Sequence, residues 1–198
     1  MGEYILLIAA AFPLMGSPGP ATMSLAAIGA AYGARRGLLY LLGIIAGTAT
    51  VLILVATGVS GLITAQPALV GVITAAATAY ILYLAYRIAT APVGSADPSL
   101  SASPSVYGGF MLALANPKAF AAIGAVYSGR QLVPSSLLHD AMAKFAVLFA
   151  VIVIVNSAWL LFGSAFSGLL RDPKLGRIAN IVFALLLVAS VALAVFVA

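Results

Sequence analysis

The stretch YILLIAAAFPLMGSPGPATMSLAAIGAA, residues 4–31, decides the fold of this chain. It contains no charged residue, and it is longer than the roughly 20 apolar residues that an α-helix needs to cross the hydrocarbon core of a bilayer. Near its centre, Ser17-Pro18-Gly19-Pro20 interrupts the run with residues that break helices. The stretch therefore predicts a membrane-spanning helix with a break inside it.

Five more apolar segments follow along the chain. They cover Leu38–Ile63, Pro67–Ala89, Val106–Ser128, Met142–Phe166 and Ile178–Val197. Backbone groups in lipid must be satisfied internally, which helices of this length achieve. Barrel strands would be about 10 residues long and would alternate apolar and polar side chains, and the segments show no such alternation. The pattern predicts an all-α membrane protein with six transmembrane helices.

The overall composition agrees with this class. Hydrophobic residues make up 64% of the 198 residues, charged residues make up 7%, and the mean hydropathy is +1.21. A soluble domain carries about 25% charged residues, so the apolar surface is expected to face lipid. The net charge is +5, but the basic residues lie in short loops rather than along one face, which excludes nucleic acid as a partner.

The distribution of basic residues predicts the orientation. Six of them fall on one side of the predicted bundle: Arg35, Arg36, Arg87, Arg171, Lys174 and Arg177. The other side has Arg130 and Lys144. Cytoplasmic loops are enriched in Lys and Arg, so we expect the first group in the cytoplasm and both termini outside a bacterial inner (plasma) membrane.

A polar, Pro- and Ser-rich stretch at residues 91–105 divides the chain in two. It reads as a flexible cytoplasmic linker between a first three-helix repeat, 1–90, and a second, 106–198. The fourth segment carries its own break, Asn116-Pro117-Lys118, 99 residues after Ser17. With three helices in each half, the two repeats would be inverted, and matched breaks in inverted repeats indicate a transporter's binding site.

The breaks have a chemical consequence. Pro18, Pro20 and Pro117 lack an N–H, so the carbonyls of Leu14, Gly16 and Ala113 lose their helical donors. A broken helix presents carbonyls on one side and N–H groups on the other, which suits the ammonium and the carboxylate of an amino acid. The predicted substrate-binding residues are Ser17, Pro18, Gly19, Pro20, Asn116, Pro117 and Lys118. The alternative is a pair of simple kinks.

The motifs resemble those of the lysine-exporter (LysE/RhtB-type) family of amino-acid efflux proteins. Besides the two breaks, the matching stretches are Gly33-Ala-Arg-Arg-Gly37, Gly43-Ile-Ile-Ala-Gly47, Tyr80-Ile-Leu-Tyr-Leu-Ala-Tyr86, Gly109-Phe110 and Asn116-Pro117-Lys118-Ala119. The resemblance covers the whole chain in length and motif order. It implies export of amino acids or related small solutes from the cytoplasm, driven by the proton gradient. The Ala121-Ala122 pair after Phe120 departs from a lysine- or threonine-specific pattern.

Several polar residues within the segments have two interpretations. Lys118 lies too deep to reach the interface, so it either binds the loose carbonyls to hold the fold or contacts a substrate carboxylate. Asp140 and Lys144, four residues apart, form either an interfacial ion pair or, with Lys118, part of the proton-coupling path. His139 is a weak coupling candidate, and Asn156 and Ser157 read as interhelical hydrogen bonds or as ligands.

Other function classes find little support in the sequence. The chain has one histidine, no cysteine and no metal-ligand cluster, so an enzyme, a metal site and a cofactor are not expected. No phosphate-binding loop is present, so concentrative transport would use an ion gradient. The predicted partners are a small amino acid or derivative, protons and the lipid bilayer. Gly43-xxx-Gly47 predicts close helix packing, inside the protomer or in a homodimer. A passive channel for small solutes or ions, or a lipid-related membrane factor, is the alternative function.

Overall fold

A computed structural model describes residues 2–58, 67–90, 105–129, 131–165 and 172–196, and within these ranges the regular structure is entirely helical. The helices are α1 (Gly2–Gly16), α2 (Pro20–Ala56), α3 (Pro67–Ala89), α4 (Val106–Leu114), α5 (Pro117–Ser128), α6 (Leu137–Ala165) and α7 (Pro173–Phe196). The predicted linker, residues 91–105, lies outside the described residues except for Ser105, whose hydroxyl caps α4 by accepting from the N–H of Gly108 at 3.0 Å.

Both predicted helix breaks are confirmed. The first apolar segment is split between α1, which ends at Gly16, and α2, which begins at Pro20. The fourth is split between α4 and α5, which are bent by 60° relative to each other. In each case the second helix begins with a proline, whose missing N–H costs nothing at a first helical position.

Helix α2 is two helices joined at a sharp reversal. Gly33 has φ +78° and ψ 163°, a conformation that glycine adopts without steric cost. The two parts, α2a (residues 20–32) and α2b (residues 34–56), fold back on each other. The hydroxyl of Tyr40 in α2b donates to the hydroxyl of Ser24 in α2a at 3.0 Å. The turn predicted at Gly33–Gly37 is thus present.

Glycines allow two pairs of helices to touch backbone to backbone. A Cβ on Gly29 of α2a would lie 2.2 Å from the carbonyl oxygen of Leu160 in α6. In the same way, a Cβ on Gly43 of α2b would lie 2.0 Å from the carbonyl oxygen of Val106 in α4. Small residues at such crossings are typical of helices that pack in membranes. The Gly43-xxx-Gly47 motif therefore packs inside the protomer, and the homodimer stays a prediction.

Two hydrophobic cores lie on either side of the breaks. The first surrounds Leu25, Ile44 and Leu160, and the second surrounds Leu7, Leu52 and Ile152. Trp159 packs against both cores, and its indole N–H donates to the carbonyl of Gly16 at 3.0 Å. The first break therefore lies at the junction of the two cores.

The outer surface is apolar. Leu39, Leu42, Leu161 and Leu185 expose about half of their surface or more, as expected where lipid replaces water. By length and composition, Leu137–Ala165 and the range Pro20–Ala56, which bends back at Gly33, each contain enough apolar residues to cross a membrane, and the bent pair of α4 and α5 adds a third crossing if it is one span. The helices of the described ranges are those of an all-α membrane protein, and the arrangement of six spans in two inverted repeats stays a prediction.

Several basic residues meet at one end of the bundle. Gly29 packs beside Ser164, near the end of α6. The turn at Gly33, which Arg35 and Arg36 follow directly, therefore lies near the same end of α6. Arg177, in the first turns of α7, donates to the carbonyl of Ala89 at the end of α3 at 2.7 Å. This end matches the side that the sequence predicts to be basic.

Candidate functional site

The carbonyls that the prolines deprive of their helical donors all find other donors. The carbonyl of Leu14 accepts from the hydroxyl of Ser17 at 3.1 Å, and that of Gly16 accepts from the indole of Trp159. The carbonyl of Ala113 accepts from the N–H of Asn116 at 3.3 Å. The sequence predicted loose carbonyls at these three positions. Two local hydrogen bonds and one tertiary contact satisfy them, so a ligand has to be sought at other carbonyls of the breaks.

Those other carbonyls belong to Ser17 and Pro18. The ammonium of Lys118 donates to the carbonyl of Ser17 and, at 3.1 Å, to the carbonyl of Pro18. Lys118 lies in the first turn of α5, so its side chain joins the second break to the first. The break residues that the sequence singled out are therefore in direct contact, although they are about half the chain apart.

Gly19 leaves room for the side chain of Lys118. A Cβ on Gly19 would lie 2.6 Å from Cδ of Lys118 and 3.0 Å from its Nζ. The Gly19 backbone is extended, with φ −173°, which any residue adopts. Glycine is therefore required here by the space that Lys118 occupies, and not by the backbone conformation.

Side chains fix the start of both second helices. The N–H of Gly19 donates to the hydroxyl of Thr22 at 2.9 Å, and this hydroxyl lies 3.2 Å from the carbonyl of Gly19. Asn116 caps α5, because its side-chain oxygen accepts from the N–H of Lys118 at 3.2 Å. Both prolines of these starts, Pro20 and Pro117, occupy the first helical position. The two helices thus begin side by side, and both direct their N-termini to the same place.

A small cavity of about 40 Å³ lies at this meeting point. Its polar lining consists of Thr22, Thr48, Asn116, Lys118 and Asn156, and its apolar wall includes Met15, Ile152 and Val155. This volume accommodates a few water molecules and is too small for an amino acid while Lys118 keeps its position. Lys118 carries the one ionisable side chain among the lining residues, all of which belong to the described part of the chain.

The predicted site residues thus fall into three groups. Gly19, Asn116 and Lys118 line the cavity, while Ser17 and Pro18 contribute the carbonyls that Lys118 binds. Pro20 and Pro117 set the starts of the second helices. Thr22 and Thr48 were not among the predicted site residues. Thr22, two residues after Pro20, has the spacing of a capping residue, but nothing local distinguishes Thr48.

Asn156 belongs to the cavity as well as to its own helix. Its side-chain N–H donates to the carbonyl of Ile152 in the preceding turn at 2.8 Å, and the residue is 6% exposed. The sequence left its role open between an interhelical hydrogen bond and a ligand. The observed bond stays within α6, so it does not join two helices.

The second coupling candidate, Asp140, lies elsewhere. One of its oxygens is 2.9 Å from Nζ of Lys144, and the other accepts from the N–H groups of Leu132 and of Val133. Lys144 also lies over the ring of Tyr127, 4.9 Å from its centroid. The pair therefore stabilises the segment between α5 and α6. This segment follows the C-terminal end of α5, whereas Lys118 lies at its N-terminal end. His139 is exposed, and its ring nitrogen contacts Ser136 at 2.9 Å.

Comparisons with known proteins identify the family of the chain. The family model described as LysE type translocator matches residues 13–198 of the chain. The cysteine/O-acetylserine efflux protein of Escherichia coli (strain K12) is 32% identical over 174 residues, which cover 87% of each chain. Proteins of the same name from Escherichia coli O9:H4 (strain HS) and Shigella sonnei (strain Ss046) match with the same identity and coverage. No solved structure matches the chain significantly.

Proposed function

The chain belongs to the LysE type translocator family, and on this premise we propose that it exports small neutral amino acids from the cytoplasm. Members of the family are translocators, so the chain is a membrane transporter and not an enzyme, as its sequence predicted. The names of its relatives point to substrates such as cysteine and O-acetylserine. The observation that carries the proposal is the contact of Lys118 with the carbonyls of Ser17 and Pro18 across the two breaks.

The cavity offers complementary groups to the two charged ends of an amino acid. The carbonyls of Ser17 and Pro18 already bind one ammonium, that of Lys118. The N-termini of α2a and α5 carry the positive ends of their helix dipoles, which favour a carboxylate. A short side chain would then face Met15, Ile152 and Val155. We therefore assign the predicted break residues, with Thr22, Thr48 and Asn156, to the substrate site, where Lys118 shares the carbonyls of Ser17 and Pro18 with the substrate and does not itself bind it.

The helix contacts support the proposed inverted repeats. Helix α2a of the first half packs on α6 of the second half, and α4 of the second half packs on α2b of the first. Exchanging the two halves turns the contact of α4 with α2b into the contact of α1 with α6, and the contact between α3 and α7 into itself. Two interlocked repeats would place both breaks at their shared interface, where transporters of this architecture bind substrate.

We propose that export is driven by proton antiport across the bacterial inner membrane. A zwitterion carries no net charge, so the membrane potential alone does not expel it, whereas exchange for one incoming proton does. One charge crossing 100 mV is worth about 2.3 kcal/mol, which sustains a gradient of roughly 50-fold. The alternatives, a passive channel or a lipid-related factor, would not require a lysine that joins the two breaks. The family description also favours a transporter.

Two isomers test the proposal in proteoliposomes. O-acetyl-L-serine and N-acetyl-L-serine have the same atoms, but only the first has an ammonium. With an imposed proton gradient, we expect the purified protein to concentrate O-acetyl-L-serine and to leave N-acetyl-L-serine unmoved. The assay is run at mildly acidic pH, because the acetyl group migrates from oxygen to nitrogen in alkali.

Three results would contradict this proposal. Failure to move O-acetyl-L-serine, with L-cysteine and L-serine also unmoved, would exclude the substrate class. Equal movement of both isomers would exclude recognition of the ammonium. Equilibration without accumulation under the gradient would favour the passive channel over the antiporter.

A further inference from the structure

We infer that the carbonyls of Ser17 and Pro18 form a seat for a single cation, which the Lys118 ammonium and the substrate ammonium occupy in turn, so that Lys118 carries the exchanged proton. We call these two carbonyl oxygens the carbonyl seat. The inference rests on the proposed function, which assigns a substrate ammonium to this place. It adds the identity of the proton carrier and the reason why transport in one direction requires a proton in the other.

Space excludes simultaneous occupation. Cδ and Nζ of Lys118 lie against the backbone of Gly19, so the lysine stem fills the approach to the carbonyl seat. The remaining cavity measures about 40 Å³, which does not admit an amino acid. A substrate ammonium therefore reaches the two carbonyls only after Lys118 has left them.

Charge excludes simultaneous occupation as well. Two unit positive charges 4 Å apart repel each other by about 4 kcal/mol at an effective dielectric constant of 20. The groups that face Lys118 are carbonyls from the first break, Thr22 and Thr48 from α2, and Asn156 from α6. None of these lining groups is a carboxylate, so a displaced lysine ammonium would be an unpaired charge in a mostly apolar cavity. Release of its proton to water removes that charge.

The cycle that follows is balanced. On the cytoplasmic side, the substrate ammonium takes the carbonyl seat, and Lys118 gives one proton to cytoplasmic water and becomes neutral. On the outer side, the substrate leaves, and Lys118 takes one proton from external water and returns to the carbonyl seat. Each cycle moves one zwitterion outward and one proton inward. Without a cation, the carbonyl of Pro18 would lose the donor observed there, and that of Ser17 would keep only the hydroxyl of Thr22 at 3.3 Å, which penalises return without a proton.

Substitutions of Lys118 separate exchange from net transport. Lys118→Gln and Lys118→Met remove the proton carrier and leave the carbonyl seat open to the substrate. In proteoliposomes with equal O-acetyl-L-serine on both sides, we expect both variants to exchange labelled for unlabelled substrate at half the wild-type rate or more. Under a proton gradient, their accumulation should fall from the roughly 50-fold ratio of the wild type to unity. Lys118→Arg keeps a permanent cation and should abolish both exchange and accumulation.

Controls distinguish this inference from the proposed function. Lys174→Gln, which removes an exposed lysine at the end of the bundle, should behave like the wild type. Size-exclusion profiles and thermal unfolding in detergent show which variants fold, and either Gln or Met suffices. Accumulation by a folded Gln or Met variant, or transport by the Arg variant, would overturn the inference. Loss of exchange in folded Gln and Met variants would also overturn it, since Lys118 would then bind the substrate. A wild-type protein that moves no substrate would instead overturn the proposed function.

Discussion

Gly19 and Lys118 occupy space that only one side chain can fill. Gly19→Ala adds a methyl group within 2.6 Å of Cδ of Lys118, and this flexible side chain has to move away from the carbonyls of Ser17 and Pro18. We expect the free energy of unfolding to fall by at most about 1–3 kcal/mol, the range of mild overpacking. Proton-driven accumulation of substrate should fall much more. Thermal unfolding in detergent and the proteoliposome assay measure the two effects.

Gly124→Ala is the matched control for this prediction. Gly124 lies in α5, and a Cβ there would meet nothing within 4 Å, so its substitution should change neither transport nor stability adversely. The Lys118→Ala background provides the second control, because the clash partner is gone and Gly19→Ala should add no further destabilisation. An equal loss in both backgrounds would show that Gly19 is constrained by something other than Lys118.

Asp140 and Lys144 are predicted to hold structure. Asp140→Asn alone leaves the ammonium of Lys144 buried without its partner, a change that costs about 3–5 kcal/mol. The double variant Asp140→Asn with Lys144→Gln removes both charges and keeps an oxygen that accepts from the N–H of Val133. We expect it to recover most of the lost stability in thermal unfolding, and to accumulate O-acetyl-L-serine under a proton gradient. A folded double variant that only equilibrates the substrate would make Asp140 the coupling residue.

At the scale of the elements, the crossing of α4 with α2b depends on the absence of side chains. Gly109→Ala would place a Cβ 2.4 Å from the carbonyl oxygen of Tyr40, and rigid backbone on both sides has to separate. We expect a destabilisation of about 1–3 kcal/mol or more, measured by thermal unfolding against the Gly124→Ala control. Because this contact lies within the protomer, the unfolding midpoint should not depend on protein concentration. An unfolding midpoint that rises with protein concentration would place the Gly43-xxx-Gly47 motif in a dimer interface.

The observed helix boundaries can be compared with the apolar segments of the sequence. Helix α3 and the pair of α4 and α5 have the predicted bounds. Helices α6 and α7 begin earlier than predicted, at Leu137 and Pro173, because their first turns contain charged residues, Asp140 and Lys174, which interrupt the apolar pattern but not the helix. Asp172 caps the start of α7, since its carboxylate accepts from the N–H groups of Lys174 and Leu175 at 2.8 and 3.1 Å.

For the whole molecule, the absence of cysteine gives a direct test of orientation. Single cysteines replace Lys174, at the basic end of the bundle, and Ser135, in the exposed turn between α5 and α6. If the basic end is cytoplasmic, a membrane-impermeant maleimide should label Ser135→Cys in intact cells and should label Lys174→Cys only after permeabilisation. The unmodified chain is the blank. The reverse pattern would invert the orientation and place both termini inside.

The membrane class of the protein, the approximate position of its helices and the position of its breaks can be inferred from the sequence alone. These properties are local: an apolar run of sufficient length must become a helix in lipid, and a proline interrupts a helix wherever it stands. The sequence also identified Lys118 as a charge that needs partners, because its distance from both ends of its segment prevents it from reaching water.

The contacts between the polar groups of the site follow from the tertiary structure. The carbonyl of Gly16, predicted to be free, is satisfied by Trp159 from α6, and Lys118 binds the carbonyls of Ser17 and Pro18 instead. Thr48 and Asn156 reach the cavity because α2b and α6 are rotated to present them there. In lipid, apolar side chains face neighbours and solvent alike, so hydrophobic pattern does not fix the rotation of a helix. Glycine crossings and a few buried hydrogen bonds fix it, and they form only when the helices have come together.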